Sequence, residues 1–241
     1  MKTIRWFCLV AFLLAGCGPK IVNHQKPDLK VDFSQFTNAG CPLDEYGYNR
    51  ICEKNSALYA LGCDRIDEVP DLMGGLMPAY PMAVCNYMPY YRTDVANPFD
   101  VPQSEYFFNV GGPMPDLIRY VIFKDGNFQL IKNPDEFRAF FAPVDSPEEA
   151  LSFALALTNV YAQYDLKFDM KYRYEVKALE DTFVETTGDG FIIHAFDYQF
   201  FGCGPHYYYA VEIMVTPDGK VQENSRNRIY RDPALDDLCQ D

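Results

Sequence analysis

Six of the eight cysteines, those downstream of the first twenty residues, limit this fold more tightly than any other feature of the sequence: Cys41, Cys52, Cys63, Cys85, Cys203 and Cys239. In an oxidising compartment an even set such as this closes into disulfides, and each bridge fixes which backbone segments lie side by side. Six cysteines admit fifteen pairings, which spacing alone does not resolve. Four of the six crowd into residues 41–85, which favours local staples there, while the other two stand apart near the C-terminus. The preferred pairing is therefore Cys41–Cys52, Cys63–Cys85 and Cys203–Cys239.

The first twenty residues, MKTIRWFCLVAFLLAGCGPK, decide the compartment. Lys2 and Arg5 make a positive end, and Trp6 to Leu14 is an unbroken apolar run. A bilayer span needs about 20 apolar residues, so this run fits the core of a cleavable export signal and not a mature transmembrane helix. It ends in Leu14-Ala15-Gly16-Cys17, which resembles the lipobox of bacterial lipoproteins. The resemblance implies cleavage before Cys17, a diacylglycerol on its thiol and acylation, as by palmitate, of its new amino group. Two or more acyl chains anchor a protein stably, at about 0.8 kcal/mol per buried methylene. The implied location is the extracytoplasmic side of a bacterial cell envelope. Gly18 stands where an aspartate commonly retains such proteins at the inner membrane, which favours the outer membrane in an organism that has one.

Removing residues 1–16 takes away two basic residues and no acidic one, so the formal charge of −13 becomes −15. Nucleic-acid binding needs a basic footprint to neutralise phosphates, so it is excluded as a function class. The same balance disfavours general adhesion to anionic lipid headgroups. Acidity of this size keeps an exported domain dispersed in solution.

Four segments follow along the chain: the cleaved signal (1–16), a lipidated stalk (17–40), a disulfide-stapled region rich in Cys, Tyr and Met (41–117), and an α+β domain with a disulfide-tied C-terminal tail (118–241). Fully extended, the stalk would reach about 75 Å. In the stapled region a short helix near Ser56–Gly62 is expected, and the rest reads as loops and short strands held by bridges and aromatic packing. Tyr120–Phe123 and Phe128–Ile131, joined through Asp125-Gly126, predict a hairpin. Asn133-Pro134 and Ser146-Pro147-Glu148-Glu149 predict two helix starts, the second helix running to about Tyr164 and apolar nearly all round. Strands are expected at Lys171–Val176, Asp181–Thr187, Phe191–Phe201, Tyr207–Thr216 and Lys220–Arg228, with turns at Gly188-Asp189-Gly190 and Pro217-Asp218-Gly219. The expected architecture is an antiparallel sheet packed on one long helix, preceded by an irregular disulfide-rich half.

Two constellations bear on chemistry. Cys203 and His206 are spaced C-x-x-H, and His194 lies on the preceding predicted strand, so a metal site could draw on His194 and His206 with a nearby carboxylate such as Asp197 or Glu212. An exported cysteine with a free partner is more often bridged, and the bridged reading is preferred. The methionines Met73, Met77, Met82, Met88 and Met114 suit copper(I) in softness, but irregular spacing favours packing. Asp232, Asp236, Asp237 and Asp241 lack calcium-loop spacing.

Tyrosine supplies the other constellation. Tyr87, Tyr90 and Tyr91 in one half and Tyr198, Tyr207, Tyr208 and Tyr209 in the other could meet in one groove, with Tyr208 on the face opposite Tyr207 and Tyr209. Outward-facing tyrosines give rigid amphipathic surface for a glycan or a protein. The sequence thus predicts a non-enzymatic envelope lipoprotein with a binding or interaction domain and no cofactor. Its partners would be membrane lipid through Cys17 and a protein or glycan. The rivals are a hydrolase or metal-handling protein built on His194, Cys203 and His206, and a structural lipoprotein without a small ligand.

Overall fold

The computed structural model describes residues 18–240, so Cys17 and the export signal lie outside the described residues. In chain order the first strands are β1 (Lys20–Val22), β2 (Arg50–Ile51), β3 (Arg65–Glu68), β4 (Met82–Tyr87), β5 (Asn109–Val110), β6 (Asp116–Lys124) and β7 (Asn127–Ile131). The short helix α1 (Ala57–Ala60) precedes β3, and α2 (Pro134–Phe141) and α3 (Pro147–Leu157) follow β7. Then come β8 (Arg173–Tyr174), β9 (Ala178–Glu180), β10 (Phe183–Thr187), β11 (Gly190–Tyr198), β12 (Gly202–Cys203), β13 (Tyr207–Val215), β14 (Val221–Arg231) and β15 (Cys239–Gln240).

Local chemistry explains the starts and turns. Asp125 and Gly126 both hold positive φ, 51° and 80°, which closes the β6–β7 hairpin in the sense that matches strand twist. The Asn133 side chain accepts from the Glu136 N–H at 3.0 Å to cap α2. Ser146 accepts from the Glu149 N–H at 3.2 Å, while the Glu149 carboxylate accepts from the Ser146 N–H at 2.9 Å, a reciprocal capping box for α3.

Apart from two separate two-stranded ladders, β1–β9 and β12–β15, the strands form two antiparallel sheets. The first has the order β2-β3-β4-β6-β5, with β7 on the same edge of β6 as β5; the second has the order β10-β11-β13-β14-β8. Between them α3 is buried from Glu149 to Ala156. Its Leu151, Phe153 and Leu155 share one core with Ile118, Tyr120 and Ile122 of the first sheet and Ile193, Val211 and Ile213 of the second. Burial of each such side chain contributes about 1.5–3 kcal/mol. The approach is close: a Cβ on Gly75 would fall 2.3 Å from the Glu148 carbonyl oxygen, so only glycine fits there.

Three expectations need correction. The helix expected to reach Tyr164 stops at Leu157, because Thr158 turns to extended backbone (φ −134°, ψ 162°) and Tyr161 bonds to Phe196 on β11. There is accordingly no one long helix: α2 has 8 residues and α3 has 11, and α3 is the one buried between the two sheets. The half expected to be irregular builds most of the first sheet, and the boundary at 117/118 falls inside β6, whose Leu117–Ile122 pair along β4. Residues 20–36 are no free stalk either: β1 pairs in parallel with β9, Lys20 opposite Ala178, and Phe36 is fully buried among Cys41, Cys52 and Leu58 on the outer face of the first sheet.

The disulfides join Cys41 to Cys52, Cys63 to Cys85 and Cys203 to Cys239, the pairing that spacing favours. The first two staple the outer face of the first sheet, and the third ties β15 against β12.

Candidate functional site: a tyrosine row beside a cleft

A row of four tyrosines crosses the second sheet. Tyr198 of β11 stands opposite Tyr208 of β13, Tyr208 opposite Tyr230 of β14, and Tyr230 opposite Tyr174 of β8. Their rings follow one another at centroid distances of 4.3, 4.5 and 5.6 Å. Tyr172 joins from the side, 4.8 Å from Tyr230 and 5.9 Å from Tyr208. Each aromatic pair adds roughly 0.5–1.5 kcal/mol beyond its area, so the row is also a structural spine.

Strand alternation and one bulge put the row there. Val211, Ile213 and Val215 point from β13 to the helices, which turns Tyr208 to the opposite face. On β14 the ladder skips Ile229, since Tyr208 pairs with Tyr230 and Tyr209 with Arg228. The bulge lets Ile229 and Tyr230, adjacent in sequence, bury in the same cluster with Leu166, Leu179 and Phe196.

The segment after α3 walls this face. Where β10 ends, Tyr161 takes over its edge, exchanging two 2.9 Å backbone hydrogen bonds with Phe196. Asp181, 1% exposed, then pins the wall. Its carboxylate accepts from the N–H groups of Leu166 at 3.0 Å, Asp165 at 3.0 Å and His24 at 3.2 Å, and from the Asn23 amide at 3.1 Å. Burial drives its pKa up, but these donors more than offset that and hold the carboxyl below the usual range.

Wall and row enclose a cleft of about 410 Å³. Rings of Tyr161, Tyr172, Tyr174, Tyr208 and Tyr230 line it, with Gln163, Asp165 and Lys167 as its polar rim. Burial pushes the Tyr208 phenol up to about 12 and those of Tyr161 and Tyr230 higher still. The phenols therefore stay neutral near pH 7, each able to donate and accept. Aromatic faces, phenols, an amide, a carboxylate and an ammonium together suit a ring-shaped ligand rich in hydroxyls.

No family model matches the chain, and no curated protein or solved structure matches it.

Of the residues singled out in the sequence, Tyr208 is at the centre of the row, whereas Tyr87, Tyr90 and Tyr91 are elsewhere. Tyr87 ends β4 in the first sheet, its ring 4.0 Å from the Arg119 guanidinium and 5.7 Å from that of Arg92. Tyr90 packs edge-on against Phe99 at 5.0 Å, and Tyr91 is exposed. The shared groove expected between the two tyrosine segments does not form, because α3 separates the sheets that carry them. Tyr161, Tyr172, Tyr174 and Tyr230 were missed. The alternation of Tyr172 and Tyr174 in Lys171–Val176 was the available signal.

The histidine alternative does not assemble. Both ring nitrogens of the buried His206 face backbone carbonyls, Gln199 at 2.9 Å and Leu238 at 3.0 Å, and the Cys203 sulfur is bridged. His194 is stacked on Phe183 at 4.0 Å, with Glu185 and Glu212 at 3.9 and 3.8 Å. It stands five residues along β11 from Gln199, about 16 Å at strand rise. Among the described residues no three His, Cys, Asp or Glu side chains converge as metal ligands. Met73 and Met82 are core, while Met77 and Met114 are exposed.

A second hollow of about 380 Å³ lies between the layers, its apolar walls including Leu72, Val84 and Leu155. At one end Arg65 bonds Asp67, Asn86 and Asp116, each at 3.1 Å. Burial raises the Asp116 carboxyl, Arg65 lowers it and Asp67 raises it, for a net upward shift.

Proposed function

We propose that this chain is a bacterial envelope lipoprotein, anchored through Cys17, whose folded body binds a glycan in the tyrosine cleft without transforming it. The Leu14-Ala15-Gly16-Cys17 sequence supports the anchor. The observation that carries the binding role is that Tyr208, Tyr230 and Tyr174 of the cross-strand row form one side of a cleft with a polar rim. Pyranose rings stack their C–H faces on aromatic side chains while their hydroxyls find hydrogen-bond partners, and both kinds of group converge here. Among the described residues no helix is long and apolar enough to cross a membrane.

Two measurements test the two parts separately. Metabolic labelling with palmitate should mark the wild-type protein and not Cys17→Ala; equal labelling of both removes the anchor. Saturation-transfer NMR with envelope oligosaccharides should give signals on the sugar ring protons that fade in Tyr172→Ala. That residue is at the side of the row, so the fold should survive its loss. Normal folding with unaltered transfer would mean that the cleft is not the binding site.

A further inference from the structure

We propose that the surface around Gly18 is a membrane-contacting face, with Phe168 and Met170 seated in the headgroup region of the bilayer that holds the lipid anchor. The inference rests on the lipoprotein reading and goes beyond it by orienting the body.

The orientation comes from the length of chain between anchor and fold. The β1–β9 ladder begins at Lys20, whose N–H donates to the Lys177 carbonyl at 2.9 Å. Cys17 is three residues earlier, so a lipidated Cys17 is within about 11 Å of that fixed point even with the backbone fully extended. The surface beside residues 18–20 has no freedom to stand away from the lipid.

That surface has the composition such a position requires. A Cβ on Gly18 would fall 2.7 Å from Cε2 of Phe168, so the last described residue before the anchor lies directly against this ring. Phe168 is 46% exposed and Met170 is 88% exposed, an apolar pair two residues apart in the loop that leads to β8. On a surface facing only water such a pair has no hydration advantage; in the headgroup region its burial is favourable.

Charge points the same way. Residues 18–22 and 165–180 hold five basic side chains, Lys20, Lys167, Lys171, Arg173 and Lys177, against four acidic ones, Asp165, Asp169, Glu175 and Glu180. The chain as a whole carries 21 basic and 34 acidic residues, so this strip reverses the overall balance. Long basic side chains lay their methylenes along apolar surface and place their charge among phosphates. A chain this acidic is repelled by anionic lipid in most orientations, and this strip is the side from which approach is favourable.

The test uses tryptophan fluorescence, because Trp6 is the chain's one tryptophan and leaves with the signal. Full-length precursor carrying Phe168→Trp, and separately Met170→Trp, is processed, checked for palmitate and reconstituted into vesicles of phosphatidylcholine and phosphatidylglycerol. Tyr48→Trp, 83% exposed and on the first sheet's side, is the reference. The expected result is blue-shifted emission at 168 and 170, with clear loss of intensity in brominated lipid and little loss at 48. Labelled protein whose tryptophans at 168 and 170 are quenched no more than at 48 would overturn the docking face alone. Absence of label from Cys17 would remove the lipoprotein reading, and this inference with it.

Discussion

Asp181 illustrates how much one side chain can organise. It lies between β9 and β10 and gathers donors from Asn23 and His24, just after β1 and 158 and 157 positions away in the chain, and from Asp165 and Leu166 of the cleft wall, 16 and 15 positions away. Asp181→Ala would leave those donors facing a dry hole, at a cost of about 3 kcal/mol. Asp181→Asn should retain the shape and lose the charge. Because the folded pKa is lowered, the stabilisation from the carboxylate is present above the unfolded value and is lost as pH falls through the folded one. Urea midpoints should therefore separate wild type from Asp181→Asn at pH 7 and converge as pH falls below the ordinary carboxylate range; a constant gap would show that the charge is not the source. Nothing in the sequence marked this residue. Its partners are brought together only by the finished fold, whereas Tyr208 was legible because strand alternation is a local rule.

At the scale of elements, the sequence was most readable where one residue decides. The Asp-Gly hairpin and the starts of α1, α2 and α3 stand where their turn and capping residues put them. Ser146→Ala should lower stability by about 1 kcal/mol in chemical denaturation, since it opens the capping box. The end of α3 was not readable, because Val160 and Tyr161 fit a helical pattern until β11 offers them a sheet edge. The short strands β2, β3 and β5 were readable in kind but not in place for a related reason: two to four residues give no period, and disulfides and pairing partners hold them. The Cys203–Cys239 bridge, by contrast, was visible from spacing. Replacing both cysteines by serine should cost about 4 kcal/mol for a separation of 36 residues and loosen β15, measurable as faster hydrogen exchange at Gln240.

At the scale of the molecule, the sequence yielded the class, an α+β body of antiparallel strands with three bridges, but it misplaced the division. The cut was drawn at residue 117 because the Cys-, Tyr- and Met-rich composition gives way there to a clear hairpin pattern, and composition says nothing about which strands pair. What joins the two sheets is the helix layer and the apolar core around it, a union without a covalent link of its own. All three bridges close within residues 41–85 or within 203–239, and none reaches from one stretch to the other. The segment 88–108, with short 3-10 turns and an exposed Phe99, lies between them on the outside. A protease nick there would leave two fragments with no disulfide in common, yet β4–β6 and β1–β9 would still zip them together. The nicked protein should run as one particle in native size exclusion and as two bands on a denaturing gel, with or without reductant. The two pieces, expressed separately, should find each other and complement.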